Sequence, residues 1–263
     1  MTLAKERASD MEPIDNHVNV TEWGQGPRVV LVHGGTPGGG QFAFNAQREL
    51  EQRWHLVVPD RPGHGQSPRQ GREDFERDAE LLAPLLDDQA HLVGHSYGAI
   101  VALYIAARRP RAVASLTLIE PPAFWFGAGN PAVDEMARVN RELFENPSAD
   151  RAHTVRTFFA LVGIDIQFPD PFPVPLLAIA DDFANIRGPY EGHIDASELS
   201  TGGYPIQVLT SGRIAGFEGI AEAIAKQTGG DHLVVPGTDH SVQNAGEKVN
   251  PILEQLWSAA DLT

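Results

Sequence analysis

Ala90-His91-Leu92-Val93-Gly94-His95-Ser96-Tyr97-Gly98 is the stretch whose reading decides the fold of this chain. A short apolar run precedes Gly94, and a helix-forming run, Ala99 to Ala107, follows Gly98. The pattern is G-x-S-x-G at a strand-turn-helix junction. A turn this tight forces the serine into a strained backbone conformation. The glycines two before and two after it keep side chains from colliding there. The serine oxygen then stands above a sheet edge, at a helix N-terminus whose dipole favours negative charge. Ser96 is therefore the candidate nucleophile.

Outward from this turn, short β-like runs alternate with helical ones. Strands are predicted at His17–Trp23, Arg28–Val32, His55–Pro59, His91–Val93, Ser115–Ile119, Ile206–Leu209 and His232–Val235. Helices are predicted over Gln41–Arg53, Arg72–Leu86 and Phe217–Gln227, with a last one inside Val242–Trp257 starting near Pro251. Continuous rather than alternating apolar runs imply strands buried on both faces of a parallel sheet. The strand-helix alternation gives a doubly wound, mostly parallel α/β fold. From residue 121 to about 203 the rhythm breaks. That region holds no convincing strand, is rich in aromatics and proline, and has helical runs at Pro131–Phe144, Arg151–Val162 and Pro175–Ile186. It is too long for a plain loop. It reads as a helical cap over the C-terminal edge of the sheet, where open α/β folds place ligands. The expected division is a core of residues 1–122 and 204–263 and a cap or lid of residues 123–203.

The bulk numbers narrow the function. A chain of 263 residues, 42% hydrophobic and 21% charged, suits one α/β domain with an insertion. A formal net charge of −15 argues against nucleic acid and anionic membranes as partners. There is no cysteine, so disulfides, thiolate metal sites and cysteine nucleophiles are excluded. Met1 to Asp10 lacks the apolar core of a signal peptide and reads as a loose tail. No run approaches the ~18 apolar residues of a membrane span. A soluble, cytoplasmic protein is expected. No His/Asp/Glu set stands at metal spacing, and Gly34 to Gly40 lacks the Lys-Ser/Thr ending of a phosphate loop. Neither a metal nor a cofactor is expected. Oligomeric state is open.

Four motifs in order carry a resemblance: Val32-His33-Gly34-Gly35, Pro59-Asp60-Arg61-Pro62-Gly63-His64-Gly65-Gln66-Ser67, the Ser96 turn, and Pro236-Gly237-Thr238-Asp239-His240. Over roughly residues 17–122 and 204–260 the chain resembles the α/β-hydrolases of the lidded esterase, lactonase and haloperoxidase-like group. The resemblance implies an α/β-hydrolase fold with Ser96 as nucleophile. Of the ten histidines, it implies His240 as the base, since His240 follows the last strand and comes last in chain order. His95 is expected to support its loop, and His33 and His64 to be structural. The implied oxyanion donors are the backbone N–H groups of Gly35 and Tyr97. A serine at this turn is not the aspartate of haloalkane dehalogenases or epoxide hydrolases. Asp60 and Arg61 belong to an architectural motif, and Asp239 to a loop.

The third catalytic residue departs from the common pattern. Most relatives carry an aspartate after the strand corresponding to Ile206–Leu209. Here the segment reads Thr210-Ser211-Gly212-Arg213-Ile214-Ala215-Gly216, without a carboxylate. Some α/β-hydrolases place the acid one strand earlier, and Glu120 stands there. Glu218, in the following helix, is the alternative. Some acid is needed to hold the imidazole tautomer and stabilise its positive charge.

Phe124, Trp125, Phe126, Phe158 and Phe159 either form the cap's own core or line an apolar pocket. As a group they favour a small, fairly apolar substrate. The expected activity is hydrolysis of a carboxylic ester or lactone through an acyl-enzyme on Ser96. Thioester hydrolysis, C–C bond hydrolysis and perhydrolysis use the same core. The reading from another class is a non-catalytic small-molecule-binding homologue.

Overall fold

The computed structural model describes residues 17–35 and 38–260. The predicted N-terminal tail lies outside the described residues. Seven strands form one sheet: β1 (Val20–Trp23), β2 (Arg28–Val32), β3 (His55–Pro59), β4 (Ala90–His95), β5 (Val113–Ile119), β6 (Ile206–Thr210) and β7 (Asp231–Val234). Their order is β1-β3-β2-β4-β5-β6-β7. β1 runs antiparallel to β3, and the other pairs are parallel. The uninterrupted apolar strands follow from covering both faces. Val30, Val32, Leu92, Leu118 and Val208 pack into one core. The residues beside them in the chain, Val29, Leu31, Val93, Ile119 and Leu209, pack into the other. Successive side chains on a strand point to opposite faces, so both must be apolar.

Nine α-helices occur among the described residues: α1 (Gly39–Ala43), α2 (Phe75–Leu82), α3 (Tyr97–Arg108), α4 (Pro131–Glu145), α5 (Arg151–Leu161), α6 (Val174–Asp182), α7 (Ala196–Ser200), α8 (Ala215–Thr228) and α9 (Gly246–Ala260). Among these residues no helix is long and apolar enough to cross a membrane. The helix expected over Gln41–Arg53 is instead the short α1 followed by a 3-10 stretch, Asn45–Gln52. Gln47 and Leu50 are the buried positions of that stretch, and Phe44, also buried, caps its start. Their spacing of three matches a 3-10 turn, in which such residues eclipse. Arg72–Leu86 also divides. The Asp74 side chain accepts from the Glu76 and Arg77 amides and starts α2 there, and a 3-10 turn at Ala83–Leu86 follows. The last helix begins before Pro251 and carries it on an exposed position.

Between β5 and β6 the described residues contribute four helices and no sheet strand. α4 packs on α8, and α5 on α6. This region is strapped back to the start of α2. The Glu73 amide donates to the Asn185 carbonyl, 2.7 Å, and the Arg187 amide to the Glu73 carbonyl, 2.8 Å. The Arg187 side chain then pairs with Asp74 and Glu76.

Candidate active site

Ser96 stands between β4 and α3 with φ 53° and ψ −124°. Positive φ on a non-glycine residue is strained, and such strain is held only where surrounding structure over-determines it. The flanking glycines are sterically required. A Cβ on Gly94 would lie 2.5 Å from the Gly98 carbonyl oxygen, and one on Gly98 2.3 Å from that of His33. The His33-Gly34-Gly35 loop comes equally close, since a Cβ on Gly34 would meet the Ser96 Cβ at 2.8 Å.

His240 arrives from the loop after β7. Its Nε2 lies 2.9 Å from the Ser96 Oγ. The imidazole sits between two rings. Phe217 of α8 stacks on it at 5.1 Å between centroids, and His95 lies at 4.9 Å. His95 Nε2 donates to the His240 carbonyl at 2.9 Å, while the Gln243 amide donates to His95 Nδ1 at 3.2 Å. Those two bonds define one neutral tautomer of His95. Burial, and then the neighbouring His240, push the His95 pKa down to about 3. His95 thus holds the loop of His240, a role wider than support of its own loop.

Glu120 ends β5 with φ 46° and is fully buried. One carboxylate oxygen accepts from the Ser211 amide at 2.6 Å, and the other lies 3.4 Å from His240 Nδ1. Glu218 faces elsewhere. Its oxygens accept from the Gly212 amide at 3.1 Å and meet His232 Nε2 at 3.3 Å. The structure therefore brings Ser96, His240 and Glu120 into one hydrogen-bonded line and leaves Glu218 beside it. Asp239 accepts from the Ser241 amide within its own loop.

A buried ionic cluster supports the site from behind. Arg61 is fully buried and pairs with Glu73 and Asp78, and its guanidinium also donates to the carbonyls of His33 and Gly34. The Arg61 amide donates to His33 Nε2, and His33 Nδ1 donates to the Gly34 carbonyl. Burial, and then Arg61, hold the His33 pKa well below its usual value. Burial would raise Glu73, but Arg61 and His64 outweigh it and bring it to about 2. Burial lifts Asp78 to about 7 against the pull of Arg61. Asp60 clamps loops: its carboxylate accepts from the Gly40 and Gln66 amides and from the Asn19 side chain. The bonds of Arg61 and His33 hold the backbone at His33 and Gly34, next to Gly35.

A cavity of about 190 Å³ opens onto Ser96. Gly35 and Tyr97 line it at the serine end. Phe124 and Phe158 line it, whereas Trp125, Phe126 and Phe159 do not. Trp125 and Phe126 follow Phe124 on a 3-10 turn, and Phe159 follows Phe158 on α5, so each leaves its element in a different direction from the neighbour that lines the cavity. The Trp125 indole donates to the Ile194 carbonyl at 3.1 Å, and Phe126 is buried beside it. Phe159 packs on Phe168 away from the cavity. Sequence reasoning missed Phe144, Phe183 and Phe217, which also line it. The helical spacing of Met136, Asn140 and Phe144 is the signal that would have found the α4 wall. Among the described residues no group of three or more His, Cys, Asp or Glu could hold a metal ion.

The chain belongs to the α/β-hydrolase fold family, whose model matches residues 27–162, just over half of it. The pimeloyl-(acyl-carrier protein) methyl ester esterase of Chromobacterium violaceum is 44% identical over 96 residues, which is 36% of this chain and 37% of that protein. The match thus spans well under half the length of that relative. An α/β hydrolase structure from Sphaerobacter thermophilus covers 91% of this chain and 96% of its own at TM-score 0.67 and 23% identity. The N-acyl homoserine lactonase AidH, complexed with N-butanoyl homoserine, covers 94% and 96% at TM-score 0.64 and 17% identity. At these identities the two structures support the fold alone.

Proposed function

We propose that this protein is a serine hydrolase that cleaves a carboxylic ester or lactone of a small, fairly apolar substrate through an acyl-enzyme on Ser96. The observation that carries this reading is the line from Ser96 Oγ to His240 Nε2, 2.9 Å, and from His240 Nδ1 to Glu120, 3.4 Å. A serine hydroxyl is inert near neutral pH without a base. His240 takes its proton as Oγ attacks the substrate carbonyl. Glu120 accepts from Nδ1–H, which leaves Nε2 free as acceptor and stabilises the imidazolium that forms. The second oxygen of Glu120 is occupied by the Ser211 amide, so its charge is not left unpaired in the interior. The amides of Gly35 and Tyr97 receive the oxyanion. His240 then protonates the leaving oxygen, and water, deprotonated in turn by His240, resolves the acyl-enzyme.

In the same reading, residues 123–203 act as the cap that roofs the site. The cavity of about 190 Å³ is smaller than the ~300–1,000 Å³ of pockets for drug-sized ligands, which favours a short chain or ring. The ester activity of the Chromobacterium relative agrees with the hydrolase reading.

The test is labelling with a fluorophosphonate probe, alongside hydrolysis of short esters, lactones and thioesters. Labelling and turnover that both vanish in Ser96→Ala are expected. A folded wild-type protein that takes no label and turns over none of these substrates would be a binding module, not a hydrolase.

A further inference from the structure

Asn140 breaks the pattern of the helix that carries it. The buried positions of α4 are Val133, Met136, Asn140 and Leu143. Met136, Asn140 and Phe144 stand four residues apart in one row and all line the cavity. An apolar residue at the middle position would complete the stripe. Instead there is an asparagine, 5% exposed, whose Oδ1 has no hydrogen-bond partner among the described residues. Leaving such an acceptor unpaired in the interior is destabilising.

The other polar side chains on this wall are all engaged. Ser96 meets His240, and the Tyr97 hydroxyl donates to the Arg187 carbonyl. Glu73 pairs with Arg61 and His64, and Asp182 with Arg69. Other buried, unpartnered atoms, on Gln47, Gln243, Tyr204 and Trp257, lie off the cavity. A departure from local pattern that no packing contact repays marks a functional position.

We infer that Asn140 is a specificity-determining residue whose side-chain amide turns to present Oδ1, shielded in its present orientation, to a hydrogen-bond donor on the substrate. The preferred ester or lactone then has a chain bearing a donor, an amide N–H or a hydroxyl, rather than a plain hydrocarbon chain. The apolar wall around Asn140 buries the rest of that chain. A site built to bond a donor discriminates against the analogue lacking it more strongly than an apolar pocket discriminates by size. The inference rests on the hydrolase reading above and deepens it.

The test uses matched methyl esters. N-acetylglycine, N-acetyl-β-alanine and N-acetyl-4-aminobutyrate methyl esters are compared with methyl 4-oxopentanoate, 5-oxohexanoate and 6-oxoheptanoate. Within each pair the N–H becomes CH₂ at unchanged chain length, and comparison with Asn140→Leu separates the lost donor from the change of amide to ketone. Methyl 6-hydroxyhexanoate against methyl hexanoate forms the hydroxyl arm. Wild type should favour the donor-bearing member of at least one pair by about tenfold or more in kcat/KM. Asn140→Leu should lose that preference and melt no lower. Asn140→Ala serves as the second variant. No donor preference in any pair, or a preference that survives both substitutions, overturns the inference. Binding of the same pairs to Ser96→Ala reads Asn140 without chemistry. Donor-selective binding by a protein that hydrolyses nothing would remove the hydrolase reading and keep Asn140. Binding that ignores the donor would remove Asn140 alone.

Discussion

The adjacent ends of β5 and β6 are built from opposite materials. β5 runs from apolar strand into Glu120, a buried carboxylate on a positive-φ backbone. β6 runs into Ser211-Gly212, which brings no acid. The Glu120 amide donates to the Leu209 carbonyl, and the Ser211 amide donates back to the Glu120 carboxylate. The strand end without an acid therefore supplies a donor that lets its neighbour keep a charge in the interior. The difference teaches that the acid's place belongs to a pair of strand ends, not to one loop. In the proposed mechanism His240 Nδ1 requires an acceptor at that spot, and here the end of β5 delivers it.

The largest effect expected from this comparison is at Glu120. In Glu120→Gln the carbonyl oxygen can keep the Ser211 amide, and the NH₂ is left facing His240 Nδ1. A donor there favours the tautomer with the proton on Nε2, which cannot take the serine proton. A loss of about 10³–10⁴ in kcat is expected, with the melting temperature little changed, as for loss of the acid's tautomer control elsewhere. Steady-state kinetics on any ester the wild type cleaves, with a thermal melt beside it, checks this. Turnover within a few fold of wild type would break the comparison.

The parts of this site that were legible in the sequence are those dictated by local backbone demand or by chain order. Gly94 and Gly98 announce the turn because backbone atoms approach them at distances no Cβ tolerates. Glu120 could be read because the loop after β6 lacks a carboxylate. The five inner strands were legible because strands covered on both faces are largely apolar; the edge strands β1 and β7 are partly exposed. The cavity wall was not, because which aromatic faces inward depends on how α4 and α5 sit on the core. Phe158 and Phe159 are adjacent, and only tertiary packing separates the one that lines the cavity from the one that does not. Likewise His95 looked local, yet its partner is a carbonyl 145 residues away. The 3-10 stretch Asn45–Gln52 escaped because its spacing of three differs little from a helical one over two turns.

A smaller effect is expected behind the base. If β4 and β5, rather than β6, hold His240, then His95 matters to its placement. His95 is neutral when folded, with a pKa of about 3, and close to its ordinary value when unfolded. Between those values the unfolded chain binds the extra proton. The stabilisation is fully present above pH ~6.5 and declines by ~1.4 kcal/mol per pH unit as the pH falls toward the folded value. His95→Gln removes this titration. Urea unfolding between pH 6.5 and pH 4.5 should show a steep decline in wild type and a shallower one in the variant. Equal slopes would mean that His95 is already charged in the folded protein and does not carry its neutral tautomer to the His240 carbonyl.

The smallest effect belongs to Glu218, and it is the one that separates the two strand ends. Glu218 lies in the first turn of α8, where a carboxylate favours the helix dipole, and it meets the Gly212 amide and His232. Its side chain is 21% exposed, so water screens its charge. Glu218→Gln keeps an oxygen for Gly212 and removes the charge. Activity within about twofold of wild type is expected, with at most ~1 kcal/mol lost in stability. A loss approaching that of Glu120→Gln would place the working acid on the β6 side after all. It would also make the Ser211–Glu120 bond a structural clasp rather than the support of a catalytic charge. Equal, moderate losses in both variants would mean that the two carboxylates share the imidazolium through the field of the site. The comparison would then be one of degree. A near-silent Glu218 beside a crippled Glu120 is the outcome that the hydrogen bonds require, because one of these residues faces His240 and the other faces His232.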